Sequence, residues 1–363
     1  MAYYLAAPVL ALVLGFLLTP PVRKLAVKVG ALDYPDQRKV HSGTMPRMGG
    51  LAVYAAFVVA VLVFRQLTPQ VLSLLAGATA ILFVGMADDI YGLPAVVKLV
   101  GQILAALVVV KFGIQVYYVT NPLNGQIILL GWLAIPLTVF WIVAVTNAVN
   151  LIDGLDGLAG GVSCIAALTI AAVTWTQFGA GHGGMTEMIM LALTLVAAVA
   201  GFLRFNFHPA KIFLGDTGSM FLGFTLAVLA IMSLTKSAAA VSVIIPLVIL
   251  GVPLLDTFFA IFRRCYQRRP IFQPDKHHLH HQLMAMGLNH RQTVLVIYGL
   301  SAFLGLNAVV INLITSDQAL VLLVILAVAV IYLANRVGVL GRTGRARMRS
   351  DLPKEYKQRS SKM

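Results

Sequence analysis

The chain has 363 residues, of which 60% are hydrophobic and 11% charged, and it carries a formal net charge of +14. So little charge cannot coat a soluble domain of this size, which excludes the ordinary water-soluble classes and points to a protein built into a bilayer. The surplus of Lys and Arg raises nucleic acid as a partner, and only the placement of those residues can decide.

Apolar runs long enough to cross a hydrocarbon core as helices fall at 4–20, 49–65, 71–87, 95–112, 131–149, 158–176, 188–204, 219–235, 238–262, 293–314 and 319–335. The expected fold is all-α, a polytopic integral membrane helical bundle of about eleven transmembrane helices. It should occupy residues 1–335, with a basic cytoplasmic tail at 336–363 that is expected to be disordered and drawn to lipid headgroups. The first run has no basic segment before it and ends in Thr19-Pro20-Pro21 without a small-residue cleavage site, so it reads as a retained helix. Cys164 and Cys265 have neither metal-ligand spacing nor an evident disulfide partner.

If the runs alternate in direction, one set of connections holds only Arg65, Lys111 and Lys236, and the rest of the 27 Lys and Arg lie on the other side. The positive-inside tendency then puts the N-terminus outside and the C-terminus in the cytoplasm. The basic residues serve the membrane surface, and no nucleic-acid partner is expected. The acidic residues sort the same way. Asp33, Asp36, Asp88, Asp89, Asp153, Asp156, Asp216, Asp256 and Asp275 all fall at or near the inner face. Carboxylates near lipid are costly, and a bound cation would explain their gathering.

In chain order, "GMADDIYGLP" (85–94) sets Asp88 and Asp89 at a helix C-terminus, where they repel each other and oppose the helix dipole. "NAVNLIDGLDGLAGG" (147–161) spaces Asn147 and Asn150, and Asp153 and Asp156, at i,i+3, so each pair can face one side. "FLGDTGSMFLG" (213–223) opens a helix whose positive end favours an anion, either Asp216 itself or a phosphate. The preceding "RFNFHPAKIF" adds Arg204, Asn206, His208 and Lys211. "PDKHHLHHQL" (274–283) packs His277, His278, His280 and His281 after the Arg263/Arg264 cluster. On a helix these could hold a transition metal, but the Arg-rich setting favours phosphate. Taken together, acidic, histidine-rich and arginine-rich loops at one face describe a site for phosphates and a hard divalent cation such as Mg²⁺.

These segments, together with "RKVHSGTMPRMGG" (38–50) and "PLLDTFFAIFRR" (253–264), resemble in order the polyprenyl-phosphate N-acetylhexosamine-1-phosphate transferases. The resemblance implies transfer of a sugar 1-phosphate from a UDP-sugar to undecaprenyl or another polyprenyl phosphate, releasing UMP, at the cytoplasmic face of the cell membrane. It implies Mg²⁺ as cofactor, with Mn²⁺ as substitute, held by Asp216 and Asp89. Asp88, Asp89, Asp216, His278 and His281 would be catalytic, Asp88 accepting the lipid phosphate proton. Lys39, His41, Lys98, Asn147, Asn150, Asp153, Asp156, Asn206, Arg264, His277 and His280 would bind substrate. The loop "HHLHHQL" resembles the WecA/TagO group rather than MraY-type enzymes, which implies UDP-N-acetylglucosamine as donor and a product for cell-envelope polysaccharide. Gly92 also stands where MraY-type enzymes carry a lysine.

Attack by an Asp to give a covalent intermediate and direct attack by the lipid phosphate both remain open, and direct attack is preferred because that phosphate is already ionised. Alternatives are a MraY-like enzyme using a peptide-bearing UDP-sugar, or a cation-coupled transporter, for which Asp256 is the carboxylate lying visibly within a span. Association into a homodimer is left open.

Overall fold

The computed structural model describes residues 2–34, 43–64, 67–121, 126–178, 185–234, 244–268 and 278–338. In chain order these form α1 (Ala2–Lys28), β1 (Leu32–Asp33), β2 (Met45–Pro46), α2 (Gly50–Phe64), α3 (Pro69–Tyr91) and α4 (Ala95–Lys111). Next come β3 (Tyr118–Thr120), β4 (Ile127–Leu129), α5 (Ala134–Ile152), α6 (Leu158–Phe178), α7 (Met185–Asn206) and α8 (Gly215–Leu234). The chain continues with α9 (Ile244–Ile249), α10 (Gly251–Tyr266), α11 (Leu279–Ala285), α12 (His290–Leu313) and α13 (Ser316–Val337).

Among the described residues, 8 helices are long and apolar enough to cross a membrane: α1, α3, α5, α6, α7, α8, α12 and α13. The protein is therefore a multi-pass, helical membrane protein. One expectation is refined: the described part of the 238–262 run is two helices, α9 and α10, parted at Leu250. Between α4 and α5, β3 and β4 pair antiparallel, with Tyr118 opposite Leu129.

Local chemistry sets the helix ends that matter. Thr68 caps α3 by accepting from the Val71 N–H at 3.3 Å, with Pro69 in the first turn, where a missing N–H costs nothing. The same helix stops at Gly92, whose φ of 68° suits a residue without Cβ and whose N–H donates to the Asp88 carbonyl. A reciprocal capping box of Asn289 and Gln292 starts α12.

Helix α8 is the axis of the bundle, buried almost throughout, with α2, α3, α5 and α6 around it. Lipid tails are as apolar as the side chains they would replace, so helices associate here through close packing, which small residues permit. A Cβ on Gly50 would collide with the Gly218 backbone, one on Gly85 with Asp216 and Thr217, and one on Gly223 with Thr146. These contacts bring α2, α3 and α5 onto α8 at near backbone distance. Phe57, Phe221 and Phe224 fill the space between, all fully buried.

Candidate active site

The end of α3 and the start of α8 meet through one side chain. Asp89 Oδ1 accepts from the Asp216 N–H at 3.0 Å, and Oδ2 accepts from the Thr217 N–H at 3.0 Å and from Thr217 Oγ1 at 2.6 Å. Arg47 Nε lies 3.4 Å from Oδ1, and the Asp89 side chain has no solvent exposure. The unpaired N–H groups and the positive end of α8 are thus satisfied by a carboxylate from another helix. Gly215, at φ 72°, makes room, since a Cβ there would strike the Asp89 carboxylate. Asp89 thus joins Asp216, which stands in the first turn of α8, as an anion at this N-terminus. With both oxygens engaged, Asp89 acts as a helix cap in this arrangement.

Asp88, one residue earlier, is turned the other way. Its Oδ1 accepts from the Leu93 N–H at 2.8 Å, and its Oδ2 lies 3.3 Å from Lys98 Nζ. The same ammonium donates to Asp216 Oδ2 at 2.9 Å, so Lys98 of α4 bridges the carboxylates of α3 and α8. Two hard oxygen donors converge on one small cationic group. This donor set suits Mg²⁺, which takes one or two carboxylates and completes its shell with phosphate oxygens and water.

All three groups line a cavity of about 730 Å³. Of the residues expected from the sequence, it brings together Asp88, Lys98, Asn150, Asp153, Asp156, Asn206, Asp216, His280 and His281. Asn150 Nδ2 donates to Ser219 Oγ at 2.8 Å, tying α5 to α8 beside Asp216. Asp153 terminates α5; burial first, then repulsion from Asp216 and Asp89, pushes its carboxyl up to about 8. Asp156 Oδ2 accepts from the Ala210 N–H at 3.1 Å and pairs with His208 Nδ1 at 2.9 Å. Asn206 braces that loop, accepting from the Gly157 N–H at 3.1 Å and donating to the Ile212 carbonyl at 2.9 Å. Although it reaches the cavity, its amide is already committed on both sides.

Another part of the lining is histidine. Buried Asp256 of α10 pairs with His278 Nδ1 at 2.9 Å and accepts from the Leu279 N–H at 2.8 Å, fixing the start of α11. His278 therefore lies behind the wall and positions it, while His280 and His281 face the cavity with ring centres 4.2 Å apart. Burial, with His281 next to it, pulls His280 down to about 3, so this ring is neutral at working pH.

Asn147 does not line the cavity. It forms a reciprocal amide pair with Gln102 of α4, Asn147 Nδ2 to Gln102 Oε1 at 2.6 Å and Gln102 Nε2 to Asn147 Oδ1 at 3.3 Å. Arg264, in the last turn of α10, is likewise not a cavity wall. Lys39, His41, His277 and the tail from 339 lie outside the described residues. The sequence did not single out Arg47 or His290 as cavity residues. For Arg47 the signal was its place just before Gly49-Gly50, where the chain enters the tight α2–α8 contact.

A bundle of apolar helices with an acid- and histidine-lined cavity of small-ligand size at one end defines a membrane protein with a polar substrate site. Comparison with known sequences agrees. The pattern of Glycosyl transferase family 4 matches residues 71–234. A Bacillus subtilis protein described as a probable undecaprenyl-phosphate N-acetylglucosaminyl 1-phosphate transferase is 43% identical over 332 residues, 91% of each chain. A decaprenyl-phosphate N-acetylglucosaminephosphotransferase of Mycobacterium tuberculosis is 38% identical, covering 88% of this chain and 85% of its own. The undecaprenyl-phosphate alpha-N-acetylglucosaminyl 1-phosphate transferase of Escherichia coli is 30% identical over 76% of this chain and 75% of its own. The chain belongs to glycosyl transferase family 4, in the WecA/TagO-like group of polyprenyl-phosphate sugar-1-phosphate transferases.

Proposed function

We propose that the protein transfers N-acetylglucosamine 1-phosphate from UDP-N-acetylglucosamine to a polyprenyl phosphate, leaving a lipid-linked pyrophosphoryl sugar and releasing UMP. One observation carries the reading: Asp88 and Asp216 meet across Lys98 at the wall of a single cavity. That cavity also holds Asp153, Asp156, His280 and His281.

In this scheme an oxygen of the lipid phosphate attacks the sugar-bearing phosphorus of the donor. The bond from that phosphorus to the bridging oxygen breaks, and UMP leaves with the electron pair. Asp88, held by the Leu93 N–H, takes any proton still on the lipid phosphate. Lys98 neutralises charge between the two phosphates, and Asn150, Asp153 and Asp156 lie along the same cavity for the nucleotide. Asp216 and Asp88 would hold Mg²⁺, whose contribution is to neutralise phosphate charge at the point of transfer. The activities for which the relatives are named support the sugar and the lipid class.

The distribution of Lys and Arg supports placing the cavity at the cytoplasmic face of the cell membrane, with the N-terminus outside. Helices α2 and α4, and the segment containing α9 and α10, would bring the spans to about eleven. Residues 1–335 would form the membrane domain, ahead of a basic tail. The transporter alternative loses its main support, because Asp256 is taken up by His278 and the Leu279 N–H.

The test is incubation of purified protein with UDP-N-acetylglucosamine, undecaprenyl phosphate and Mg²⁺. UMP and a lipid-linked sugar should form together and cease when Mg²⁺ is chelated. Failure to release UMP with this donor, but release with a peptide-bearing UDP-sugar, would move the protein to the MraY-type reaction.

A further inference from the structure

A second concavity lies on the far side of α7. Its volume is about 420 Å³, and Arg23, Lys24 and Val27 of α1, Phe205 of α7 and Lys211 of the α7–α8 loop line it. Higher up, α1 and α7 are in contact: a Cβ on Gly15 would collide with the Ala198 carbonyl, and one on Gly201 with the Leu12 carbonyl. Below that contact, the Phe16 and Phe205 rings pack tilted at 5.2 Å, and the groove opens beside them. The Lys211 N–H donates to the Phe205 carbonyl at 2.8 Å, folding the loop back so that a third cation joins the two from α1.

The groove joins two kinds of surface. Among the described residues it has no carboxylate in its wall, and no ion pair engages Arg23, Lys24 or Lys211. Its upper edge continues into exposed Phe16 and Leu17, with Val27 also exposed. Cations at one end and lipid-facing apolar side chains at the other match a molecule with a phosphate headgroup and acyl chains. They match a free phosphate, which has no use for the apolar wall, much less well.

We propose that this groove is a binding site for an anionic glycerophospholipid of the surrounding leaflet, its headgroup phosphate on Arg23, Lys24 and Lys211 and its chains along Phe16 and Leu17. The site is separate from the catalytic cavity and shares none of its lining residues. The two are nevertheless back to back. Lys211 faces the groove, while its neighbour Ala210 lines the cavity and donates its N–H to Asp156. A lipid seated on Lys211 steadies the loop that holds Asp156, so occupancy raises affinity for the nucleotide donor. That last consequence rests on the transferase reading; the lipid site does not.

The test uses full-length protein in vesicles of phosphatidylcholine alone or mixed with phosphatidylglycerol. After extraction, native mass spectrometry counts retained lipid. Wild type should keep phosphatidylglycerol in preference to phosphatidylcholine, and the Arg23→Gln/Lys24→Gln/Lys211→Gln variant should lose that preference. Lys211→Gln alone, in a loop outside the helices, should lose part of it and covers the case in which the triple variant does not fold. Phosphatidylglycerol should also lower KM for the donor several-fold in wild type and leave the variants unchanged. Equal retention of both lipids by wild type, or an undiminished preference in the variants, overturns the site. Displacement of the retained lipid by inorganic phosphate, or by polyprenyl phosphate, overturns the assigned occupant. Retention as expected without any UMP release would remove the transferase reading and leave the lipid site intact.

Discussion

The two walls of the catalytic cavity are built on opposite principles. Around the start of α8, ionisable groups face one another directly: the Asp88 and Asp216 carboxylates both lie within 3.3 Å of the Lys98 ammonium, and Asp89 beside them holds the helix end. In the histidine wall, Asp256 is withdrawn behind His278, and His280, one of the two α11 histidines that reach the cavity, is neutral. The first wall gathers charge, and the second is built around a neutral ring held in place from behind. A preorganised charge in a water-poor site acts on the transferring phosphate itself, whereas a positioned neutral ring acts through geometry.

Removing charge from the first wall should therefore have the largest effect. Asp216→Asn or Asp88→Asn should lower turnover by about 10³-fold or more while the protein still inserts and unfolds cooperatively, the scale of losing a preorganised electrostatic group. Turnover assays set against thermal unfolding in detergent check this, and near-normal Mg²⁺-dependent turnover in Asp216→Asn would break the distinction between the walls. On the second wall, Asp256→Asn should cost about 10²-fold, since it releases His278 and the start of α11 without removing charge from the cavity. A loss as large as that of Asp216→Asn would mean that the histidine wall also carries charge.

The smallest effect sharpens the comparison by pH. Asp153 lies beside the acidic wall with its carboxyl raised to about 8 by burial and by Asp216 and Asp89. A carboxyl whose folded-state pKa exceeds its unfolded value near 4 keeps its proton in the folded protein and loses it in the unfolded chain. Its contribution is thus fully present below pH of about 4 and is lost as pH rises toward 8. Metal-free protein should lose stability across that window, and Asp153→Asn should flatten the slope. Thermal unfolding at a series of pH values, without divalent cations, reads it out.

Much of this site could be read from the amino acids, and the reasons for the rest are specific. The apolar runs gave the helices because a bilayer leaves few other solutions for the backbone. The acidic motifs at one face do converge, with Asp33, Asp88, Asp153, Asp156 and Asp216 on one cavity. What could not be read was how each carboxylate divides its duties. Asp88 and Asp89 are neighbours in sequence, and only the contact with Gly215 and Thr217, more than a hundred residues away, makes one a helix cap and leaves the other facing the cavity. Asn147 and Asn150 looked equivalent at i,i+3, yet Gln102 engages the first and Ser219 the second. Asp256 looked like an ion-path carboxylate because its partner, His278, lies 22 residues on, across a connection that spacing alone cannot fold.

The knot of Asp89, Thr217 and Gly215 fastens two rods at the point where the phosphates would meet. Because the fastening residue Asp89 and Asp88 occupy consecutive positions on α3, a shift of α3 along α8 cannot move Asp88 without first undoing the joint. Peripheral helices such as α13, little buried by the rest of the bundle, carry no such joint to α8 among the described residues.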